Sequence, residues 1–592
     1  MSSGHDGEQA TARACRRKLW LAAPLAAALV AGCGGGSEAA PAGDPSAQSP
    51  GANVTLSGTV TFDLVPAVAG FGLDYASTQP SPARGVTVEL VENGAVRAST
   101  TTDTAGGYSF SVAPERTVTV RVRAHMVKSG TPSWDYRVVD NVNDDALYVL
   151  DGTPASTGSA DSTRNLHAPS GWGGSSYTAP RSAAPFAILD AVYDATQFVV
   201  NVNPSAAFPP LAINWSTSNV PNFGGNGVPD PSTGELGTSF FVPALGIFLL
   251  GAENVDTEEY DRHVIIHEWG HYFEHSFSRS DSIGGPHTRG DQLDLRVAFG
   301  EGWGNALSAM VTGNSVYRDV SGPRQTRGFG FDVEGPLPGN PNPNPGWYSE
   351  ESVQEILYDL FDDSSLDAAQ DGLTLGFAPL YGVLTNQQRF ATALTSIFTF
   401  IHALKAAEPA AAPQIDGLVN AHDILAVNDA YGAGQTNLGE PTNADIVPGD
   451  ITAVYETIAV NGGPVEVCSL DAFTSDFTGS TNKLGSRRFL RFSAAAPGAH
   501  TITAVTTTMP SGATSDPDMV LHRAGSVAVF ESAPDESVCT TANPVGCSET
   551  GSATLTPGDY VLEVFEWTNT NADDDEYPPI GRTCFDVTVT GP

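Results

Sequence analysis

Residues 264–273 read Val-Ile-Ile-His-Glu-Trp-Gly-His-Tyr-Phe, and this stretch limits the fold more than any other part of the chain. Val264, Ile265, Ile266, Trp269, Gly270, Tyr272 and Phe273 are uncharged, so the segment reads as a buried helix. Asp256 or Thr257 serves as its N-cap in this reading, with Glu259 three residues after Asp256. His267 and His271 stand at i and i+4, which puts both imidazoles on one helical face, close enough to chelate one ion. Glu268 lies beside the first histidine, where a carboxylate can polarise a water. Core helices rarely turn two histidines and a carboxylate inward without a task, because an unpaired polar group is costly to bury. The spacing is H-E-x-x-H, which binds zinc.

A zinc centre that does chemistry needs a third protein ligand and an open position. Residues 297–307 (Val-Ala-Phe-Gly-Glu-Gly-Trp-Gly-Asn-Ala-Leu) read as a second helix, with Glu301 and Asn305 one turn apart on one face. With both segments in view the chain resembles the gluzincin metallopeptidases, and among them the fungalysin branch of the thermolysin-like enzymes. The resemblance implies one catalytic Zn2+ held by His267, His271 and Glu301, with Glu268 as general base. It also makes Asn305 the group that orients His267, at a position where the family has aspartate. An asparagine carbonyl can accept the Nδ1–H bond but brings no charge, so weaker metal binding is expected. The interval 272–300 is longer than the family shows and is expected to carry an insertion.

Tyr348 lies five residues before Val353, where the fungalysin pattern has a histidine, and is expected to steady the oxyanion. His287 and Tyr381 are its substitutes. His275 falls another turn along the first helix, but the H-E-x-x-H-x-x-G-x-x-H arrangement needs a glycine and a later histidine that are absent, so it reads as a bystander. The function implied is a zinc-dependent endopeptidase that hydrolyses peptide bonds of extracellular proteins. Two alternatives stand beside it. An aminopeptidase would use Glu253, in Gly251-Ala252-Glu253-Asn254, to meet a free amine, although a turn ending a strand is the favoured reading there. A non-catalytic surface-binding lipoprotein would keep the metal residues as a relic, which the retained Glu268 argues against.

The formal charge of −39, from 28 Lys and Arg against 67 Asp and Glu, excludes nucleic acid and anionic membrane surfaces as partners. A protein or peptide substrate fits it. Arg13, Arg16, Arg17 and Lys18 precede an apolar run, 19–30, that is too short to span a bilayer. Val30-Ala31-Gly32-Cys33 then resembles a bacterial lipobox, which implies a leader over 1–33, lipidation of Cys33, export, and anchorage to the cell envelope or release from it. Membrane contact is expected only through that lipid. Residues 34–53, rich in Gly, Ala, Pro and Ser, read as a flexible tether.

Beyond the tether, 54–125 alternate with the period of strands, and Thr102-Asp103-Thr104-Ala105-Gly106-Gly107-Tyr108-Ser109-Phe110 resembles the signature of the carboxypeptidase regulatory-like, transthyretin-like β-sandwich. Residues 126–460 form the expected metallopeptidase domain, with a helix over 184–195 and a strand over 210–215. A strand over 246–251 is expected to be the sheet edge that pairs with substrate backbone. Ser349 caps a helix over 349–361, and helices over 387–407 and 415–431 build a helical lobe. Residues 465–592 return to strands and resemble the pre-peptidase C-terminal β-sandwich.

Four of the six cysteines are there, Cys468, Cys539, Cys547 and Cys584. An even count in an exported domain implies two disulfides, read as Cys539–Cys547 across a hairpin and Cys468–Cys584 between the domain's ends, although sequence does not fix the pairing. Asp573, Asp574, Asp575 and Glu576 offer the oxygens a Ca2+ needs, but an exposed acidic loop is the favoured reading and nothing else supports the ion. The expected architecture is therefore multidomain: an α+β thermolysin-like zincin core flanked by N- and C-terminal β-sandwich domains.

Overall fold

A computed structural model describes residues 52–68, 70–223, 229–335, 341–362, 372–437, 446–471, 473, 481–523, 527–531, 547–570 and 578–592. The leader, Cys33, Cys539 and the acidic run 573–576 lie outside the described residues, as does nearly all of the tether. The chain is rich in sheet, with five sheets and seven α-helices among the described residues. None of those helices is long and apolar enough to cross a membrane.

Alternation builds the first half. In strand Thr117–Lys128 the residues Val118, Val120, Val122, Ala124 and Met126 are buried and their neighbours are not, the period-2 pattern of a sheet with one face on a core. The same strand pairs with Val86–Glu92 on one side and with Trp134–Asp140 on the other. Trp134–Asp140 then pairs in parallel with Leu211–Trp215, which pairs in parallel with Gly246–Leu249. One ten-stranded sheet thus runs from the N-terminal strands into the part that carries the histidine helix. The boundary expected at 125/126 falls inside a strand.

The expected substrate-pairing edge is corrected. Gly246–Leu249 has a partner on each side, because Phe240–Val242 folds back on it in antiparallel register, and the free edge is Phe240–Val242. The hairpin is hidden in one apolar run, Phe240-Phe241-Val242-Pro243-Ala244-Leu245-Gly246-Ile247-Phe248, in which Ala244 takes φ 71°, a conformation usually left to Gly or Asn.

The seven helices are α1 (Ala184–Val202), α2 (Arg262–Phe277), α3 (Leu295–Thr312), α4 (Glu350–Asp359), α5 (Phe377–Gly382), α6 (Ile397–Ala407) and α7 (Ala412–Ala421). α1 runs about two turns beyond its expected end. α2 begins later than expected: Asp256–Thr257 is a short strand, and Asp261 occupies the N-cap without a side-chain cap bond, since its Oδ2 accepts from Val320 N at 2.6 Å. Ser349 caps α4, its Oγ accepting from Ser352 N at 3.3 Å. In place of a helix over 387–407 there are short turns and then α6, which opens on a Ser396–Thr399 capping box.

Residues 455–590 form two further sheets around a shared core that includes Leu490, Ile502, Leu562 and Val587. Cys468 and Cys584 face each other on paired strands and are joined by a disulfide. Cys547 is also a half-cystine. This C-terminal part is fastened to α3 by buried charge. Arg296 Nη1 donates to Glu563 Oε2 at 2.9 Å, Arg487 Nη1 donates to Glu563 Oε1 at 2.6 Å, and Asp294 supplies Arg296 with a second carboxylate.

Candidate metal centre

The centre is built where α2 crosses α3. Trp269, Phe273 and Trp303 are fully buried there, with the Phe273 ring 5.7 Å from that of Trp303, and Trp303 Nε1 donates to Gly270 O at 3.2 Å. The helices come close because both present glycine. A Cβ added to Gly304 would lie 2.8 Å from the His267 ring, so the glycine-flanked tryptophan of α3 makes the space that the imidazole fills.

Three donor atoms converge there. His271 Nε2 is 3.0 Å from His267 Nε2, and Glu301 Oε2 is 3.2 Å from His267 Nε2 and 3.5 Å from His271 Nε2. Donors bound to one tetrahedral zinc at 2.0–2.1 Å stand roughly 3.3 Å apart, so the spacing fits that ion. The donor set fits it too, two imidazoles and a carboxylate.

Hydrogen bonds behind His267 fix its orientation. Asn305 Nδ2 donates to Glu350 Oε1 at 2.6 Å and to Gln354 Oε1 at 2.9 Å. Since a carboxylate only accepts, the amide is oriented, and Asn305 Oδ1 faces His267 Nδ1 at 2.8 Å. Nδ1 of His267 therefore carries a proton for Asn305, which leaves Nε2 as the nitrogen that faces the centre and that a metal would take. The charge absent at position 305 sits one group further out, on Glu350. Nothing local to Ser349-Glu350-Glu351 announces this, because acidic residues in a first helical turn are ordinary partners of the helix dipole.

Glu268 is buried, and its Oε2 has no hydrogen-bond partner. Burial raises its pKa above the usual carboxylate value, with His267 and His271 opposing. Burial also pushes Glu301 upward, but the charges of His287 and His271 and the bonds from the two α2 histidines outweigh it and hold Glu301 well below the usual range. His271 has the mirror situation: burial disfavours its charge, Glu301 more than compensates, and its pKa rises to about 9.

The segment between α2 and α3 brings in His287. Its Nδ1 donates to Gly285 O at 3.3 Å, and its Nε2 lies 3.6 Å from Glu301 Oε2 and 3.5 Å from Glu350 Oε2. Burial lowers the affinity of this ring for a proton, while Glu301 and Glu350 raise it by more. His287 and Glu350 also line a cavity of about 250 Å3 that extends to Phe329, Phe331 and Glu355. Tyr317 sets its ring 6.3 Å from that of His267, edge to face, and stacks on Phe331.

The remaining expected residues stand elsewhere. Tyr348 packs its ring on Trp347 at 5.2 Å and closely over Gly346, and its carbonyl accepts from Leu293 N. Tyr381 OH accepts from Asn203 Nδ2 at 2.8 Å and rests against Phe377. His275 is exposed near the end of α2, beside Phe241. Glu253 follows a strand, as a turn residue, and its Oε1 accepts from Tyr177 N at 2.9 Å.

No family model matches the chain, and no curated protein does. Among solved structures, the pre-peptidase C-terminal domain of collagenase from Bacillus anthracis is similar at 14% identity over 23% of this chain and 93% of that one, with a TM-score of 0.15. A periplasmic inhibitor of g-type lysozyme from Aeromonas hydrophila is similar at 12% identity over 23% of this chain and 96% of its own, with a TM-score of 0.14. A carbohydrate binding module of a Cellvibrio mixtus lichenase, solved with cellotriose, is similar at 11% identity over 22% and 88%, with a TM-score of 0.13. Scores this low assign neither fold nor function.

Proposed function

We propose that the chain is a zinc-dependent endopeptidase of gluzincin type. The observation that carries this reading is the convergence of His267, His271 and Glu301 at 3.0–3.5 Å beside the buried, unpartnered carboxylate of Glu268. Zinc held by those three donors would supply a Lewis acid and lower the pKa of a water. Glu268 takes a proton from the attacking water and returns it to the leaving amine. His287 rather than Tyr348 donates to the developing oxyanion, since its Nε2 faces the centre while Gly285 O holds its Nδ1. Glu350 steadies both sides, orienting His267 through Asn305 and standing 3.5 Å from His287.

An aminopeptidase has less support, because Glu253 is engaged by the Tyr177 amide. Export through the lipobox-like 30–33, a regulatory-like arrangement of the N-terminal strands that shares its sheet with the part carrying α2, and a pre-peptidase C-terminal-like module over 465–592 belong to the same proposal and fit an enzyme working on extracellular protein. Mass spectrometry of an amino-acetylated peptide incubated with the protein tests it. Internal cleavage that stops with a chelator and returns with zinc is expected. If the acetylated peptide survives while its free-amine form loses its first residue, the reading fails in favour of the aminopeptidase.

A further inference from the structure

Asp256 lies on the short strand that precedes α2, Glu258 follows it by two residues, and Asp319 lies on strand Val316–Ser321 beyond α3. The two strands pair, with Asp256 opposite Ser321. One oxygen from each carboxylate falls within 4.8 Å of the other two. Glu258 is only 2% exposed; its Oε1 accepts from Ser239 Oγ at 3.1 Å and its Oε2 has no hydrogen-bond partner. Asp256 Oδ1 is likewise buried and unpartnered. Asp261 stands behind them as a fourth carboxylate, held by Val320 N. Among the described residues no lysine, arginine or histidine is within ion-pairing distance of Asp256, Glu258 or Asp319: Arg262 is committed to Asp190 and Asp194, and Arg318 to the carbonyl of Val316.

A buried carboxylate that faces two half-buried ones with no cation is expensive, and a bare carboxylate oxygen without a donor adds to the cost. From these observations we propose that Asp256, Glu258 and Asp319 form a second metal site, separate from the histidine centre, that takes a calcium-class divalent cation. Two oxygens on one calcium cannot be further apart than twice its bond length, about 4.8 Å for bonds near 2.4 Å, and the three carboxylates meet that limit. The donors are all oxygen, which disfavours zinc. Three convergent carboxylates suit calcium, whereas magnesium keeps most of its waters. The site also bears on the first centre. Tyr317, two residues before Asp319 on the same strand, packs on both His263 and His267, so an ion at Asp319 fixes the strand that backs the metal histidine.

Without a cation the cluster must hold protons. Burial, followed by the charge of Asp319, raises the Asp256 carboxyl to about 8, and burial raises that of Asp319 to about 6. Carboxyls raised on folding stabilise the fold below their unfolded value near 4 and lose that contribution as pH rises through the folded values. The groups facing them are Glu258, Asp261 and the Tyr317 hydroxyl, and none of these is cationic.

The proposal does not rest on the peptidase reading, and its test does not use activity. The full chain is melted across pH 5 to 8 with and without calcium, and titrated with terbium, whose luminescence a nearby tyrosine excites. One ion per chain, a rise in Tm on the order of 5 °C at saturating calcium, and loss of the decline toward pH 8 are expected. Glu258→Gln with Asp319→Asn should abolish the calcium and terbium responses and leave zinc content unchanged. An unaltered response in that variant would overturn the proposal, as would a wild-type chain indifferent to calcium at every pH. Should the double variant fail to fold, Asp256→Asn decides instead, through a calcium affinity reduced tenfold or more, or left as it was.

Discussion

Asn305 donates to Glu350 at 2.6 Å while its own carbonyl accepts from His267 at 2.8 Å, so a carboxylate on α4 acts on a histidine of α2 through an amide on α3. Glu350→Gln removes the charge and keeps the shape. Zinc affinity should fall about tenfold or more, as for other groups behind metal ligands. Asn305→Asp alone should not raise affinity, because it sets two carboxylates against each other. Combined with Glu350→Gln it should restore affinity. Competition with a chelating dye measures all four proteins, and additive losses would show that the two residues do not form one relay.

Gly304 is the floor beneath His267. Gly304→Ala places a methyl where the imidazole lies 2.8 Å away, so the ring must move. A stability loss of about 1–3 kcal/mol is expected, together with a marked loss of bound zinc. Urea melts and metal analysis separate the two effects. Full zinc content in this variant would mean that the ring does not need its present position.

His287 should be separable from the donors. His287→Ala is expected to keep its zinc and KM and to lose about 100-fold in kcat, the scale of one oxyanion donor. If zinc is lost instead, His287 is a fourth ligand and not the oxyanion donor.

The C-terminal sheets hold to α3 through Arg296 and Glu563, both almost wholly buried. Glu563→Ala leaves Arg296 and Arg487 without their carboxylate, and a loss of about 3–5 kcal/mol is expected in denaturant melts. Burial pushes the Glu563 carboxyl up, but Arg296 and Arg487 outweigh it and hold it well below the usual range. The stability tied to this group is therefore complete above the ordinary glutamate value near 4.5 and is lost as pH falls toward the folded value. That acid-sensitive share should vanish in Glu563→Ala.

What sequence conveyed here was local. His267, Glu268 and His271 could be placed because the period of a helix is short, and Glu301 with Asn305 for the same reason. The Cys468–Cys584 bond is legible only as far as an even cysteine count in a small domain favours internal pairing, and the count does not choose the partners. Pairings across distance were out of reach: nothing in Ser349-Glu350-Glu351 points to Asn305, and nothing in Phe240-Phe241-Val242 shows that it takes the edge from Gly246–Leu249. The strand Thr117–Lys128 reads as the end of one unit because its next partner, Trp134–Asp140, follows a turn like any other. Position 287 was visible as a histidine, but only the path of the segment between α2 and α3 brings it to the centre.

The most direct test of the account is cleavage of amino-blocked casein by the wild-type chain and by Glu268→Ala, with zinc measured in both. About one zinc per chain in each, with peptide-bond cleavage by the wild type alone, is the predicted result. Zinc in neither would contradict the donor set of His267, His271 and Glu301, and equal cleavage by both would contradict the role of Glu268.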